Sequence, residues 1–327
     1  MLITQEPELE RFWYVVAFAE AVGDAPVGQR LLSTDVVLWR TAGQVRAAVD
    51  RCPHRWAKLS GGEVGGDGSL VCLYHGWAFG ADGSAARIPQ LPVDAPVPGR
   101  ACLTMLPVVE AFGFVWVSLS AEPIGGLPVV PELDDPSYRR IPVGTIDYRC
   151  SAAAIIDNNT DVTHVAFVHR GTFGAGQDPQ LDAGTARRSP FGLVLEAETP
   201  VANRPGEDTA TVRRSTTEIW APFVQLSRMR FPDGLVHILF KGCCPTGDAT
   251  TVVHLAVIRN DTDADAPAAV VARFEMAIEA EDEAMLATLP ADFPLDLRAQ
   301  VHLRHDRGGV LLRRMYADLT AGHWPPP

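Results

Sequence analysis

Two short cysteine–histidine pairs constrain the fold of this chain more than any other feature. Cys52 and His54 form a C-x-H pair, and Cys72 and His75 form a C-x2-H pair after the 17 residues at positions 55–71. Each pair lies where a strand-like run meets a turn, so two loops can converge on one site. Two thiols and two imidazoles brought together in this way offer a set of four metal ligands.

This donor set is compatible with two kinds of metal site, a zinc ion or a Rieske [2Fe–2S] centre. Zinc sites usually begin with two cysteines at C-x2–4-C spacing. A Rieske centre instead needs one cysteine and one histidine from each loop, because the cysteines hold one iron and the histidines the other. The spacing favours the Rieske centre, and the alternatives are zinc or four unrelated core residues.

A second motif has the pattern D-x2-H-x4-H, formed by Asp161, His164 and His169 and preceded by Asn158. A helix is predicted over 152–168, which would place Asp161 and His164 on one helix face. His164 and His169 are five residues apart, so both can face one metal only if the helix ends or bulges between them. Two histidines and one carboxylate are the ligands of non-haem Fe(II) oxygenases.

The third ligand of such a site must come from elsewhere in the chain, and Asp282 is the predicted donor. It lies in an acidic run at 279–283 on a predicted helix, Pro267–Leu289. Apolar residues at near-helical spacing indicate that this helix is amphipathic: Val271, Phe274, Ile278, Met285 and Leu289. The nearby acids remain alternative donors: Glu279, Glu281 and Glu283. Taken alone, the acidic run is more typical of a solvated face.

Charge and hydropathy narrow the possible partners. Lys and Arg number 28 against 40 Asp and Glu, a net charge of −12, which disfavours binding to nucleic acid or an anionic membrane. No window reaches the roughly 18 apolar residues of a membrane span, and acidic residues precede the first apolar run, unlike in a signal peptide. We therefore expect a cytoplasmic protein without a membrane segment. Four cysteines are interpreted as core residues: Cys102, Cys150, Cys243 and Cys244.

The chain divides into a strand-rich first third and an α+β remainder. Short strands separated by turns are predicted in the first third: Trp13–Phe18, Val36–Trp39, Val45–Val49, Leu70–Leu73 and Phe114–Val117. A hairpin turn is predicted at Asp82-Gly83. Longer strands follow, at Thr211–Trp220, Phe223–Phe231, Leu235–Lys241 and Thr250–Ile258, with a last helix at Gly309–Leu319. We expect domains at 1–120 and 146–327, joined by a Pro/Gly-rich linker at 121–145.

Together these motifs resemble those of the oxygenase (alpha) subunits of Rieske non-haem iron oxygenases. Cys-Pro-His-Arg at 52–55, Tyr-His-Gly-Trp at 74–77, the 158–169 run and Glu281-Asp282 occur in the family's order. The stretch Asp306-Arg307-Gly308-Gly309 is similar to the family's C-terminal end. In length the chain resembles the shorter homotrimeric monooxygenase branch, which includes dicamba and vanillate demethylases. Residues 12–17 and 32–40 also resemble saxitoxin-type alkaloid hydroxylases.

The resemblance implies a fold and a set of ligands. The fold would be an all-β Rieske [2Fe–2S] domain followed by a helix-grip (START/Bet v 1-like) domain, in which an antiparallel sheet wraps a helix. Two groups of residues match ligands, Cys52, His54, Cys72 and His75 for the cluster and His164, His169 and Asp282 for the mononuclear iron. Asp161 matches a carboxylate that bridges neighbouring subunits of a head-to-tail homotrimer, and Asn158 matches a residue near the iron. Leu73 and Trp56 depart from the family's pattern.

The resemblance also implies a reaction. Electrons from NAD(P)H would arrive through a separate flavin reductase, a ferredoxin or both, and O2 would be the co-substrate at Fe(II). A small aromatic or alkaloid-like compound would be hydroxylated or oxidatively demethylated. The alternatives are an oxidative cyclase or desaturase on the same scaffold, or an electron carrier with an inactive second site. Six residues either face a substrate cavity or pack in the core: Phe223, Gln225, Met229, Phe231, His237 and His254.

Overall fold

The computed structural model of the chain describes residues 2–92, 94–180, 184–201 and 211–324. The chain forms two compact units, one of Glu10–Ile124 and one of Met1–Leu9 with Gly125–Pro327. The last seven residues of the segment expected as a linker, 139–145, belong to a strand of the larger unit. They do so because this strand pairs with a distant one and buries Ile141 in the core.

The smaller unit consists of three antiparallel sheets. The first joins β1 (Tyr14–Phe18), β11 (Phe114–Val117) and β10 (Val108–Ala111), and the second joins β2 (Val27–Leu31), β3 (Thr34–Thr41), β4 (Gln44–Val49) and β9 (Met105–Leu106). The third contains β5 (Glu63–Val64), β6 (Leu70–Val71), β7 (Ala78–Phe79) and β8 (Ala85–Arg87). The hairpin predicted at Asp82-Gly83 is the turn between β7 and β8. Cys52 and Cys72 lie in the core with Trp39 and Phe79.

The described residues of the larger unit form one seven-stranded antiparallel sheet and four α-helices. In sheet order its strands are β12 (Arg139–Tyr148), β18 (Thr250–Arg259), β17 (Val236–Gly247), β16 (Val224–Arg230), β15 (Thr211–Trp220), β14 (Gly192–Val201) and β13 (Thr185–Ser189). The helices are α1 (Ala152–Thr160), α2 (Val165–Val168), α3 (Ala268–Leu286) and α4 (Arg307–Thr320). The expected α+β class, with an antiparallel sheet around a long helix, is confirmed.

Short 3-10 turns complete the described secondary structure, at Ile3–Gln5, Pro7–Arg11, Ala19–Ala21, Pro131–Leu133, Leu297–Ala299 and Arg304–Asp306. Within the described residues, none of the helices is both long enough and apolar enough to span a membrane.

The inward face of helix α3 includes part of the predicted apolar face, since Val271 is buried and Phe274 and Ile278 line a cavity, but it is more acidic than the apolar spacing predicts. Its buried residues are Val271, Glu275, Glu279, Asp282 and Leu286, so three of the five are acidic. Phe274 and Met285, expected on the apolar face, are 46% and 51% exposed. The acidic face can be buried because other elements supply partners for its carboxylates. Lys241 on β17 and His237 on the same strand are two of them.

The helix predicted over 152–168 is interrupted, which separates α1 from α2. The carboxylate of Asp161 accepts backbone N–H groups from Thr163 at 2.7 Å and His164 at 3.2 Å. A side chain that takes these amides replaces the helical hydrogen bonds and ends the helix. Asp161 and His164 therefore lie in a turn and not, as predicted, on one helix face.

Two glycines let α4 pack closely against the C-terminal half of α1. A Cβ atom on Gly308 would lie 2.9 Å from the carbonyl oxygen of Thr160, and one on Gly309 would lie 2.6 Å from Asp157 Oδ1. Arg313, buried on α4, donates to both carboxylate oxygens of Asp157 at 2.7 and 2.8 Å. This bidentate pair holds the helix from which the metal-site turn continues.

Replacing the buried arginine by a neutral side chain of similar length (Arg313→Met) is expected to lower the free energy of unfolding by roughly 3 kcal/mol. The reason is that Asp157 would lose its charge partner in a partly buried position. Chemical denaturation followed by circular dichroism measures the change. The exposed neighbour on the same helix is the control, and Arg314→Met should change the value by less than about 0.5 kcal/mol. Equal losses in the two variants would contradict the assignment.

Candidate metal centres and the adjoining cavity

The two loops of the smaller unit that carry the cysteine–histidine pairs have the same backbone hydrogen bonds. The N–H of Cys52 donates to the carbonyl of Ala57, and the N–H of Cys72 donates to the carbonyl of Trp77, both at 2.8 Å. In each loop the fourth residue after the cysteine donates back to the cysteine carbonyl, at 2.9 Å in the first loop and 2.8 Å in the second. Two matched tight turns therefore present their donors in the same way.

The four side chains of these loops come together. Cys52 and Cys72 are buried, and the rings of His54 and His75 lie 4.4 Å apart between centroids. The ring of His54 also stacks on Trp77 at 4.7 Å, which orients it. The structure thus brings both predicted pairs to one place.

These residues fit a Rieske [2Fe–2S] cluster. The Nδ1 atom of His54 is buried and has no hydrogen-bond partner among the residues that the structure describes. Burial raises the pKa of Cys52 to about 11, and the neighbouring thiol of Cys72 adds to the rise. A thiol with so high a pKa becomes a thiolate when a metal is bound to it. Two cysteine thiols beside two imidazoles are the donor types that the cluster uses.

The two departures from the family's pattern lie outside the donor set. Trp56 has a positive φ of 62°, as Gly76 does in the second loop at 73°, and its ring is 72% exposed. The guanidinium of Arg51 lies 5.3 Å from that ring. Leu73 is also exposed. Both side chains point outward, so neither replaces a ligand.

The second set of candidate ligands comes together in the larger unit. One donor atom from each of His164, His169 and Asp282 lies within 4.8 Å of the others. Asp282 Oδ1 is 3.2 Å from His169 Nε2 and 3.8 Å from His164 Nε2. This oxygen is buried and has no hydrogen bond within the described part of the chain. The two histidines lie at the two ends of the short helix α2, and both face the acid of α3.

Carboxylates behind each histidine orient the two rings. Asp161 Oδ2 lies 3.5 Å from His164 Nδ1, and Glu281 Oε2 accepts from His169 Nδ1 at 2.9 Å. Both contacts use Nδ1, so the Nε2 atoms are left to face Asp282. Outer carboxylates of this kind fix the tautomer and the orientation of metal-ligating histidines.

Glu281 lies behind a histidine and not in a ligand position. It was an alternative ligand, but its carboxylate lies behind His169 and also accepts the hydroxyl of Thr172 at 2.7 Å. Adjacent residues on a helix point about 100° apart. Asp282 and Glu281 can therefore reach opposite sides of the same imidazole.

The electrostatics keep the acids of this site ionised. Burial raises the pKa of Asp161, but the nearby His164 and the hydrogen bonds from Thr163 outweigh it and bring the pKa to about 2. Burial also raises the pKa of Asp282. The imidazole of His169 and the charge of Lys241 lower it by more, so the pKa of Asp282 is lowered overall. An ionised carboxylate beside two histidines is suited to a divalent cation.

A buried ion pair beside this site escaped the sequence analysis. Lys241 Nζ lies 2.7 Å from Glu279 Oε1, and the hydroxyl of Tyr148 donates to Glu279 Oε2 at 2.7 Å. Lys241 also donates to Asn159 Oδ1 at 3.3 Å. The one available signal was a lysine, rare in this chain, as the last residue of a predicted strand.

A cavity of about 920 Å³ adjoins the second centre and is lined by its donors and by the inner face of the sheet. Four of the six strand residues whose orientation was open line it, namely Gln225, Met229, Phe231 and His237. The other two are buried elsewhere. Phe223 packs against Tyr316, and His254 Nδ1 lies 3.2 Å from the hydroxyl of Thr145. On α1, Asn159 lines the cavity, whereas its neighbour Asn158 is not among the lining residues.

Each of the two units matches a known domain family. Residues 148–322 match the vanillate O-demethylase oxygenase C-terminal domain, and residues 12–106 match the Rieske [2Fe-2S] domain. The methylxanthine N1-demethylase NdmA of Pseudomonas putida is 27% identical over 98% of this chain and 92% of its own. The vanillate O-demethylase oxygenase subunit of Pseudomonas sp. is 30% identical over 64% of this chain and 54% of its own.

The solved structure of Pseudomonas putida NdmA with caffeine superimposes with a TM-score of 0.87 at 25% identity. The match covers 98% of this chain and 93% of that one.

Neutralising the carboxylate behind His169 (Glu281→Gln) is expected to weaken Fe(II) binding about 10- to 100-fold, the usual effect of losing such an orienting partner. Iron retained against a competing chelator measures the affinity. The control is Glu283→Gln on the same helix, because Glu283 accepts from the exposed Arg149 and not from a histidine. If both variants retain iron equally well, Glu281 does not orient the ligand.

Proposed function

Because this chain belongs to the Rieske non-haem iron oxygenases with a vanillate O-demethylase type of catalytic domain, we propose that it hydroxylates or oxidatively demethylates a small aromatic or alkaloid-like compound. It is an O2-dependent oxidoreductase, as expected from its motifs. The cofactors of such an enzyme are a Rieske [2Fe–2S] cluster and a mononuclear iron. NAD(P)H is supplied through a reductase.

The convergence of His164, His169 and Asp282 at the wall of a large cavity carries this proposal. A pure electron carrier needs no second donor set, so the assembled site disfavours that alternative. When bound, the cluster supplies single electrons and Fe(II) supplies a position for activating O2. The chain's own part is to hold both groups, to position the substrate and to exclude water.

We assign each set of ligands to one group. Cys52, His54, Cys72 and His75 would hold the cluster, and His164, His169 and Asp282 would hold the mononuclear iron. Asn158 stays a predicted residue near the iron. A position near the iron is supported by the next residue, Asn159. Its side chain lines the cavity and accepts a hydrogen bond from Lys241.

Asp161 is proposed to connect His164 to a cluster histidine, His75, of a neighbouring subunit. Two observations support this role. One carboxylate oxygen lies 3.5 Å from His164 Nδ1, and the side chain keeps 32% of its surface exposed, so a further donor can reach it. The other oxygen accepts from the amide and hydroxyl of Thr163, which holds the group in place. This connection requires the head-to-tail homotrimer that the family resemblance implies.

The proposed substrates and partners follow from the relatives. NdmA is named as a methylxanthine demethylase and the Pseudomonas sp. protein as a vanillate demethylase oxygenase subunit. A cavity of about 920 Å³ suits compact molecules of this kind. The reductase, acting directly or through a ferredoxin, is a separate partner. Dependence on NAD(P)H supports a cytoplasmic location.

The metal content of protein purified without oxygen tests this assignment. We expect about three irons and two acid-labile sulfides per chain, because a [2Fe–2S] cluster and one further iron account for them. His164→Ala should lose one iron and keep both sulfides and the visible absorption of the cluster. Zinc without sulfide would rule out an oxygenase, and two irons that added Fe(II) cannot raise to three would favour the electron carrier.

Removing the connecting carboxylate (Asp161→Ala) should leave the sulfide content unchanged and the iron largely present when Fe(II) is supplied in excess, but abolish product formation in a single turnover of the pre-reduced enzyme. The physical reason is that the hydrogen-bonded link between the two centres would be missing. Thr163→Val is the matched control, because it removes one donor to Asp161 and keeps the carboxylate. Normal turnover by Asp161→Ala would show that the connection is made elsewhere.

A further inference from the structure

We propose that Arg213 is the binding residue for an anionic group of the substrate, so that the compounds oxidised are aromatic carboxylates or sulfonates. This inference rests on the proposed function and specifies the substrate class of the same cavity. Arg213 lies on β15 and its side chain lines the cavity beside the second centre.

Neutral groups hold the guanidinium of Arg213 in one orientation. Its Nε donates to the hydroxyl of Thr199 at 3.2 Å, and its Nη1 donates to the sulfur of Met229 at 3.3 Å. The group also lies over the ring of Phe173, with Cζ 5.8 Å from the centroid. A guanidinium held in this way loses little conformational freedom when it binds a ligand.

Among the residues that the structure describes, Arg213 has no carboxylate partner for its charge. A guanidinium has five N–H donors, and the bonds to Thr199 and Met229 use two of them. Within the described residues no carboxylate lies at ion-pair distance from this group. Burial lowers the pKa of Arg213, and the more distant charge of Glu275 offsets part of that effect. A desolvated cation without a partner is costly for a fold, so a ligand anion is the expected complement.

The other two cations in the described cavity lining are paired. Lys241 forms its ion pair with Glu279, and Arg259 forms one with Asp261. Lys241 and Glu279 neutralise each other, and Asp261 contacts both Arg259 and Arg139, so neither cavity cation can take a ligand anion without giving up a protein partner. Arg213 differs from them in this respect.

Glu275, the acid whose charge acts on Arg213, contacts a different partner. Arg259 Nη1 donates to His237 Nδ1 at 2.9 Å, which leaves the proton of that ring on Nε2. This Nε2 lies 3.3 Å from Glu275 Oε1. The chain from Arg259 through His237 thus holds Glu275, and the carboxylate does not close an ion pair with Arg213.

Arg213 is placed at a suitable distance from the iron ligands for a compact substrate. The ring of Phe173 stacks on His169 with centroids 5.0 Å apart, and Arg213 lies beyond Phe173. One aromatic ring therefore separates an iron ligand from the guanidinium. A flat substrate could pair its anion with Arg213 while the opposite end of its ring reaches the iron. A carboxylate or sulfonate accepts two parallel N–H donors from arginine, which would also set its orientation.

Calorimetric binding to the oxygen-free holoenzyme tests the proposal with matched probes. The pairs are 4-methoxybenzoate with 4-methoxybenzamide, and toluene-4-sulfonate with toluene-4-sulfonamide. At least one anion should bind about 10-fold or more tightly than its amide, as expected for a hydrogen-bonded charge. Arg213→Met should weaken that anion about 10- to 100-fold and change the amide by less than about 3-fold. Arg213→Lys should restore part of the difference.

The control for these variants is the next residue of the strand. Arg214→Met removes an exposed arginine on the opposite face, which pairs with Glu198, and should leave both affinities unchanged. The proposal is overturned if neither anion binds, if each binds no more tightly than its amide, or if Arg213→Met weakens both members equally. Binding needs no reductase or O2. Selective binding without reductase-driven oxidation would therefore contradict the proposed function and leave the anion site standing.

Discussion

The larger unit depends on the burial of three carboxylates along one face of α3. A carboxylate taken out of water destabilises the fold unless a partner compensates its charge. Here the sheet supplies His237 for Glu275 and Lys241 for Glu279, and the segment after α1 supplies His169 for Asp282. These contacts set the rotation of α3, which is why its more apolar residues lie partly in solvent. For the same reason, carboxylates of α3 line one side of the cavity between helix and sheet.

The three partners differ in charge. A permanently charged lysine forms a structural ion pair with its acid, whereas histidines can form a metal site with theirs. Lys241 carries a fixed charge and neutralises Glu279, and the hydroxyl of Tyr148 donates to the other oxygen of that carboxylate. The imidazoles that face Asp282 can instead be neutral and share a cation with it. The turn closed by Asp161 ends α1 and starts the short helix α2, and the two histidines lie at the two ends of α2. Helix termination and metal binding therefore rest on the same carboxylate.

Local and distant contacts explain which predictions held. The hairpin between β7 and β8 and the long strands β15 and β18 were predicted nearly to their ends, because turn residues and alternation act over a few positions. The helix over 152–168 was wrong in its continuity, since a propensity argument does not register that the side chain of Asp161 competes for backbone amides. The inward face of α3 was predicted only in part, because hydrophobic spacing does not register the charge partners that let its acids be buried. Those partners lie up to 131 positions away in sequence.

The same division applies to the candidate centres. The spacing within C-x-H, C-x2-H and D-x2-H-x4-H can be interpreted from the chain alone, since each group of donors lies within one loop or turn and its geometry is local. Whether Asp282 or Glu281 faces the histidines depends on how α3 is rotated against the sheet. Arg213 and Lys241 are both cations on strands, but packing pairs Lys241 with Glu279 and, within the described residues, gives Arg213 no carboxylate. Such differences arise from contacts between distant segments, which no short pattern in the sequence encodes.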